Sequence, residues 1–274
     1  MMKHKYLLLF FTLVSFGTEA QNPAVPILRN EYKTEVSHKS ISYDVVYKSK
    51  CGFRDTAVIR GSVKLLKAKD TFFDGYIWWS MGDTEFQLYD LVNGYDVKMN
   101  SKTVIKSTYH IANPMVYSAS AIDTRILWLN FFRPKEIDTT LWLFFNDTFE
   151  LENDTLIADI PCWHIFEKLQ DRDSFSRNFV YDIYISKIDY TQLLTICKGF
   201  SFGLPSYSFY RMTNVIYDKV KKVDFSTSII PKDFTMKNYV YNPSEPDSTD
   251  KVMQNYIELY NFKKKRDYER QKGY

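Results

Sequence analysis

Hydrophobic and polar residues alternate with a period of two from Ser40 onward, which is the pattern of half-buried β-strands. Ile41, Tyr43 and Val45 fall on one side of the first such segment, and Ser42 falls on the other. The same alternation predicts six strands in this part of the chain, at residues 40–48, 56–67, 76–81, 85–92, 95–100 and 103–107.

Asn93-Gly94 lies between two of these segments and is the strongest hairpin signal in the sequence. A type I′ turn needs positive φ at both central residues, which Asn and Gly adopt at little cost. We therefore predict a two-residue turn at this dipeptide, and a meander in which each strand over 40–107 pairs with the one before it.

The pattern changes to helical spacing within residues 110–137. Apolar residues recur three or four positions apart, and Pro134 ends the run. The sequence therefore predicts one helix near the middle of the chain, at about 120–134. Its apolar stripe consists of Ile122, Ile126, Leu129 and Phe132.

Strand patterns return after this helix, with Asn153-Asp154 as a turn and a break at Pro161 inside a long strand. The predicted strands are at residues 141–145, 148–151, 156–166, 179–186, 193–202, 208–217 and 220–225. About a dozen strands with no alternation of strand and helix predict a mainly β fold built on one antiparallel sheet. A sheet of this size must curl or close, so we expect an incomplete barrel covered by the central helical segment.

The two ends of the chain have different patterns. Residues 1–20 are typical of a signal peptide, with Lys3 and Lys5 before a short apolar run and Ala20 at the cleavage position; a retained anchor is the alternative. Residues 21–39 contain Pro23 and Pro26 and are predicted to be an extended segment. Residues 241–274 are predicted to be a linker and a charged C-terminal helix, which is either solvated or docked, or contacts a partner or an anionic membrane surface.

Composition narrows the function classes. The chain of 274 residues has a formal net charge of only +3, which does not provide the clustered basic face of a nucleic-acid-binding protein. Aromatic residues make up 17% of it and favour pleated, half-buried surfaces. Three cysteines leave the disulfide state open: a Cys162–Cys197 or a Cys51–Cys162 bridge, or three buried thiols.

Few residues suggest catalysis. Cys162 and His164 share a face of a predicted strand, but the sequence shows no third residue to orient the imidazole. His38 and His110 are isolated from other candidate ligands, so we expect no metal site. The sequence also leads us to expect no cofactor and no enzyme activity. Aspartates 171 and 173 fall in a predicted turn and fit a capping role.

Aromatic and aliphatic residues on the strands are candidates to line an apolar cavity, although filling a solid core is the alternative. We nominate Trp78, Phe86, Leu88, Tyr181 and Ile183.

Several segments, taken in order, match the arrangement of a known family. They are the two long strands over 40–68, the hairpin at 89–99, the helix at 120–134, the strand-turn-strand at 184–194, and the closing segments at 214–217 and 231–234. In this order they resemble the LolA/LolB-like family of periplasmic lipoprotein-sorting and lipid-binding domains, over about residues 35–240.

The resemblance implies a half-barrel domain at 40–240 whose apolar cavity accepts acyl chains, with the helix at 120–134 as a movable lid. Carriers of this type use a cavity arginine, for which Arg60 and Arg211 are the strand candidates, and Arg211 is added to the nominated site. The longer loops of this chain depart from the family pattern, and a fold does not by itself assign a function.

The sequence therefore favours an exported, periplasmic or secreted, non-enzymatic carrier. Its partner would be a lipid or a lipoprotein acyl chain, with an envelope protein or peripheral contact with the membrane as further partners. A structural or protein-interaction module with a solid β core is the alternative, and an envelope hydrolase or thiol enzyme using Cys162 is a third hypothesis.

Overall fold

The computed structural model describes residues 22–51, 56–69, 75–108, 148–169, 176–201 and 203–238. The predicted signal peptide, the central helix with its lid residues, the strand at 141–145 and the C-terminal helix lie outside these ranges. The described residues form one α-helix, thirteen strands and two short 3₁₀ helices. The helix is α1 (Ala24–Ser37), and the 3₁₀ helices are Lys222–Phe225 and Thr227–Ile229. The strands are β1 (Ser40–Cys51), β2 (Ala57–Lys67), β3 (Gly75–Met81), β4 (Glu85–Tyr89), β5 (Asn93–Lys98), β6 (Thr103–Thr108), β7 (Thr148–Leu151), β8 (Thr155–Ile157), β9 (Ile160–Lys168), β10 (Ser176–Ser186), β11 (Gln192–Ser201), β12 (Leu204–Tyr217) and β13 (Thr235–Asn238).

All thirteen strands belong to one sheet, in the order β13-β6-β5-β4-β3-β2-β1-β12-β11-β10-β9-β7, with β8 paired to β9. Every pairing is antiparallel except that of β13 with β6, which is parallel. The described strands do not close into a barrel, so the predicted mainly β fold with a single large open sheet is confirmed.

Two meanders make up this sheet, and the pairing of β1 with β12 joins them. The two strands stay in register from Ile41 opposite Tyr217 to Cys51 opposite Ser206, with one bulge. At the end of this pairing, the carboxylate of Asp218 accepts hydrogen bonds from the backbone N–H groups of Lys39 (2.7 Å) and Ser40 (3.3 Å). The first and last long strands are therefore fixed to each other at both backbone and side-chain level.

Helix α1 packs on one face of the sheet, here called the α1 face. Ala24 and Ile27 contact Ile165 and Ile183 of β9 and β10 in what we call the helix cluster. Near the other end of the helix, Lys67 Nζ of β2 donates to a backbone carbonyl of the last turn (2.5 Å). One helix thus contacts strands that are several positions apart in the sheet, as expected for a sheet that curls around it.

The helix corrects the prediction of an extended segment at 21–39. Pro23 occupies the N-cap position with φ −62°, and Pro26 falls in the first turn, where a missing N–H costs no helical hydrogen bond. The side chain of Asn22 accepts from the backbone N–H of Ala24 (3.0 Å). The two prolines therefore start a helix rather than exclude one.

The turn predicted at Asn93-Gly94 and the break predicted at Pro161 each lie a few residues earlier in the structure. The hairpin before β5 turns at Asp90 to Val92, where the Asp90 carboxylate accepts from the N–H groups of Val92 (3.1 Å) and Asn93 (2.8 Å), so Asn93-Gly94 already belongs to β5. The predicted strand at 156–166 is a hairpin of β8 and β9, because Ala158 and Asp159 both have positive φ.

The closing region was also predicted wrongly. Residues 220–225 include a 3₁₀ helix instead of a strand, since the Asp224 carboxylate accepts from the backbone N–H of Lys221 (2.7 Å) and bends the chain. Phe225 is buried there against Tyr76, with ring centroids 5.3 Å apart. The last strand among the described residues is β13, which the sequence pattern did not indicate.

Gly61 allows β2 and β3 to approach closely. A Cβ at this position would lie 2.1 Å from the backbone oxygen of Ser80, and neither backbone can move without separating the strands. Gly61→Ala should therefore lower the free energy of unfolding by about 1–3 kcal/mol, the usual cost of overpacking. Urea unfolding measures the change. The neighbouring exposed residue supplies the control, because Arg60→Ala should stay within about 0.5 kcal/mol of the unaltered protein. Equal stability of the two variants would contradict the close approach.

Candidate functional site

The centre of the α1 face is a broad apolar surface that we call the central cluster. Side chains directly opposite each other in paired strands share a face, and this places residues of five adjoining strands, β12, β1, β2, β3 and β4, side by side. All are at most 8% exposed. The members are Ile41, Tyr43, Val45, Ile59, Val63, Leu65, Ile77, Trp79, Tyr89 and Met212.

Polar atoms in the middle of this surface bond to one another. Tyr210 OH donates to Tyr43 OH at 3.1 Å, and both side chains lie on the α1 face. Burial, reinforced by the neighbouring Tyr43, holds the pKa of Tyr210 well above its ordinary value. The Tyr210 hydroxyl therefore stays neutral at physiological pH.

A row of polar side chains forms the border of the central cluster across β3, β4 and β5. Trp79 Nε1 donates to Gln87 Oε1 (2.7 Å), and Gln87 Nε2 donates to Asp96 Oδ1 (3.4 Å). Lys98 Nζ lies 3.5 Å from Asp96 Oδ1 and 2.5 Å from Glu85 Oε1. We call Glu85, Gln87, Asp96 and Lys98 the polar row; it places carboxylates and one ammonium beside an apolar wall.

Asp96 is the perturbed group of the polar row. Its side chain is 14% exposed, and burial raises its pKa above the ordinary value although the charge of Lys98 opposes the shift. The folded protein therefore bears a free-energy cost for keeping this carboxylate ionised.

The nominated cavity residues do not converge on one place. Tyr181 and Ile183 lie on the α1 face, where they belong to the helix cluster. The others nominated on β3 and β4, namely Trp78, Phe86 and Leu88, alternate with central-cluster residues and so lie on the opposite face.

On that opposite face, Trp78, Phe86 and Leu88 pack with Phe225 and other residues of the closing segment, in what we call the C-terminal cluster. Their role as cavity lining stays a prediction, and they cannot line the same cavity as Tyr181 and Ile183. The lid residues Ile122, Ile126, Leu129 and Phe132 lie outside the described ranges.

Arg211 also faces away from α1, because it lies between Tyr210 and Met212 on β12 and pairs with Val46 and Leu194. Its Nε is buried and has no hydrogen-bond partner among the described residues. Arg60 is exposed on β2. Neither arginine side chain therefore points to the central cluster.

The imidazole of the predicted Cys162–His164 arrangement has a carboxylate partner that the sequence did not suggest. His164 Nε2 lies 3.0 Å from Asp182 Oδ1 and stacks on the ring of Tyr184. Cys162 is fully buried, its Sγ donates to the carbonyl of Ile160 (3.3 Å), and burial raises its pKa. A raised pKa opposes formation of the nucleophilic thiolate.

The two described thiols do not pair. Cys162 and Cys197 are both free and buried. Cys197 lies opposite Tyr181 on the α1 face, whereas Cys162 lies opposite Ser186 on the other face, so a bridge between them is excluded by the sheet itself. The Cys51–Cys162 alternative is likewise not formed.

Metal ligands and membrane spans can be considered for the described residues alone. These residues include no group of three or more His, Cys, Asp or Glu side chains that could hold a metal ion. None of their helices combines the length and the apolar character needed to cross a membrane.

The polar row and the Tyr43–Tyr210 pair were missed at the level of sequence. Glu85 and Gln87 alternate with Phe86 and Leu88, and this alternation favours the side of Phe86 and Leu88 as the interior. Pairing β4 with β5 would have revealed that Gln87 lies opposite Asp96, and Glu85 opposite Lys98.

Comparison with known proteins gives likenesses of fold. No family model matches the sequence, and no curated protein matches it. Solved structures do match, at low identity. An uncharacterized conserved protein from Thermus thermophilus has 10% identity and a TM-score of 0.43, covering 79% of this chain and 99% of that one. LprF from Mycobacterium bovis has 8% identity and a TM-score of 0.43, covering 71% and 92%.

A LolA superfamily protein from Nitrosomonas europaea has 8% identity and a TM-score of 0.25, covering 75% of this chain and 98% of that one. The Nitrosomonas protein has the name of the family that the sequence resembles. Likeness of this degree does not assign a function, so the function has to be inferred from the residues of the α1 face.

The pKa of Asp96 leads to a test of the polar row. The folded state holds the Asp96 proton more tightly than the unfolded chain, so this group lowers the free energy of unfolding as the pH rises from about 3.9 through its raised pKa. Relative to the unaltered protein, Asp96→Asn should therefore become more stable as the pH is raised from about 3.5 to about 7. Urea unfolding at both pH values measures this.

Asp233 provides a control of opposite sign. It is exposed, and the hydrogen bond from Lys102 Nζ lowers its pKa, so its contribution is present above the ordinary pKa and is lost as the pH falls. Asp233→Asn should lose stability relative to the unaltered protein over the same rise in pH. Parallel behaviour of the two variants would contradict the assignment of Asp96 as the strained member of the row.

Proposed function

We propose that this chain is an exported, non-enzymatic binding protein of the cell envelope that holds a lipid or lipoprotein acyl chain against the α1 face of its sheet. The observation that carries the proposal is the combination of the central cluster with the polar row. An apolar surface drawn from five strands adjoins a border of carboxylates and one ammonium. An amphiphile has the same two parts.

Apolar burial supplies the affinity in this proposal. Each methylene removed from water contributes about 0.8 kcal/mol, so a single long acyl chain binds firmly but exchanges with a membrane. The polar row would orient the head group or the peptide of a lipoprotein at the border of the apolar surface. Buried side chains alone also fit a filled core, so occupancy has to be measured.

Export and a periplasmic or secreted location belong to the same proposal. They rest on residues 1–20, whose basic start, short apolar run and Ala20 are typical of a cleaved signal peptide. The helix predicted at 120–134 would act as the movable cover, since it falls between β6 and β7 in the chain.

A protein-interaction module is the second candidate, and the sheet edges favour it. Among the described strands, β7 and β13 lie at the two ends of the sheet, and all four residues of β13 are exposed. An exposed edge strand offers unpaired backbone groups to a partner strand. In this case the α1 face would be filled by the protein's own side chains.

Occupancy distinguishes the two candidates. Native mass spectrometry of protein purified from its own compartment should show a lipid adduct, and delipidated protein should bind one equivalent of the apolar fluorophore N-phenyl-1-naphthylamine. Tyr210→Trp adds bulk to the α1 face and should weaken this binding by about tenfold, equivalent to about 1.4 kcal/mol. Tyr47→Trp, opposite Tyr210 on β1, tests the same surface if the first variant folds poorly.

The matched control is the neighbouring residue on the same strand. Phe209 points to the opposite face, so Phe209→Trp should leave fluorophore binding unchanged. Absence of both a lipid adduct and saturable fluorophore binding would reject the carrier and leave the interaction module.

A further inference from the structure

The structure contains a pocket on the face opposite α1, so the sheet separates it from the polar row. It lies between the last strands of the first meander and the segment that follows the 3₁₀ helices. Its volume is about 280 Å³, near the lower limit of small-molecule pockets. The lining residues are Tyr95, Val104, Lys106, Thr227, Ile230, Pro231, Lys232, Phe234 and Met236.

The pocket has an apolar floor and a polar rim. Val104 is fully buried and Tyr95 is 6% exposed, whereas Thr227 and Lys232 are exposed. Tyr95 OH donates to Asp90 Oδ2 (3.2 Å), and burial, followed by the Asp90 charge, raises the pKa of Tyr95 to about 12. The Tyr95 hydroxyl is therefore neutral at physiological pH, and the Asp90 carboxylate that it contacts is not among the residues lining the pocket.

Two lysines give the pocket its charge. Lys106 Nζ lies 5.9 Å from the centroid of the Tyr95 ring, and within the described ranges neither Lys106 nor Lys232 forms an ion pair with a carboxylate. Other lysines nearby are neutralised, since Lys64 pairs with Asp224 (3.5 Å) and Lys102 pairs with Asp233 (2.9 Å).

The pairing of these aspartates leaves the surroundings of the pocket electropositive. Residues 219–238 contain five lysines and only two acidic residues, Asp224 and Asp233, and both are the partners just named. Uncompensated ammonium groups around a low-dielectric floor attract an anion more strongly than the same groups on an open surface.

We propose that this pocket binds a short amphiphile with one anionic head group, a carboxylate or a phosphate. The tail lies on Val104, Ile230 and Phe234, and the head group lies at the rim with Lys106 and Lys232. This is a second binding site, distinct from the α1 face. It does not depend on the proposed carrier function, because the two sites lie on opposite faces of the sheet.

Titration calorimetry with decanoate, below its micellar concentration, tests the site in the delipidated full chain. One saturable equivalent is expected at this pocket, identified by its sensitivity to the lysine variants below, beside any decanoate that the α1 face takes up. Decanol, which has the tail alone, and inorganic phosphate, which has the charge alone, should each bind at least about tenfold more weakly. Decyl phosphate compared with decanoate shows which head group is preferred.

Lysine variants assign the site. Lys106→Met and Lys232→Met remove the charges but keep the side-chain length, and each should weaken decanoate binding about tenfold. Lys237→Met is the control, because Lys237 is exposed on β13 but does not line the pocket. Tyr210→Trp, on the α1 face, should leave the lysine-sensitive part of the decanoate binding unchanged, which separates the second site from the first.

Three results would overturn the proposal. They are the absence of saturable decanoate binding, equal binding of decanol and decanoate, and decanoate binding that the two lysine variants leave unchanged. Loss of fluorophore binding in Tyr210→Trp with decanoate binding retained would support both sites. Complete loss of decanoate binding in Tyr210→Trp would place the ligand on the α1 face alone and reject the pocket.

Discussion

The pairing of β1 with β12 is the constraint on which the rest of the structure depends. Each meander forms from contacts between neighbouring strands, but this pairing joins residues more than 150 positions apart in the chain. It brings the central cluster together, because Met212 comes from β12 and the other members come from strands of the first meander. Closing so long a loop costs entropy, which the extended register of backbone hydrogen bonds and the buried face must offset.

Side-chain contacts add to the backbone hydrogen bonds that join β1 and β12. His38 Nδ1 lies 2.7 Å from Asp218 Oδ2, and the His38 ring stacks on Tyr217 with centroids 4.0 Å apart. The hydrogen bond with His38 lowers the pKa of Asp218 below its ordinary value, which favours the ionised carboxylate. Thr191 adds a link from the start of β11 through its hydrogen bond with Tyr217 OH (2.8 Å). The end of β12 thus connects α1, β1 and the second meander.

Local signals in the sequence were sufficient for most strands, since the alternation from Ile41 to Tyr47 and from Tyr181 to Ile185 reflects strands with one buried face. These signals failed where a side chain or a backbone conformation overrides the pattern. The Asp90 carboxylate closes a turn ahead of Asn93-Gly94. Ala158 has positive φ, which alanine seldom adopts, and it begins the turn between β8 and β9. Alternation also cannot tell which face of a strand meets α1. Trp78 and Trp79 are adjacent and both apolar, so the sequence does not show which of them faces α1. The pairing with β4 and the position of the closing segment place Trp79 on the α1 face and Trp78 on the opposite face.

The two faces of the sheet consequently have different chemistry. The α1 face has an apolar centre with a polar border, and the opposite face has a small pocket whose lysines lack carboxylate partners among the described residues. The central claim is that an acyl chain occupies the first of these. A fatty acid with a nitroxide on its chain, added to methyl-labelled protein, should broaden the NMR signals of Val45, Val63, Leu65 and Met212 and spare those of Leu88 on the other face. Broadening of Leu88 without the α1-face methyl groups, or no selective broadening at all, would contradict the account.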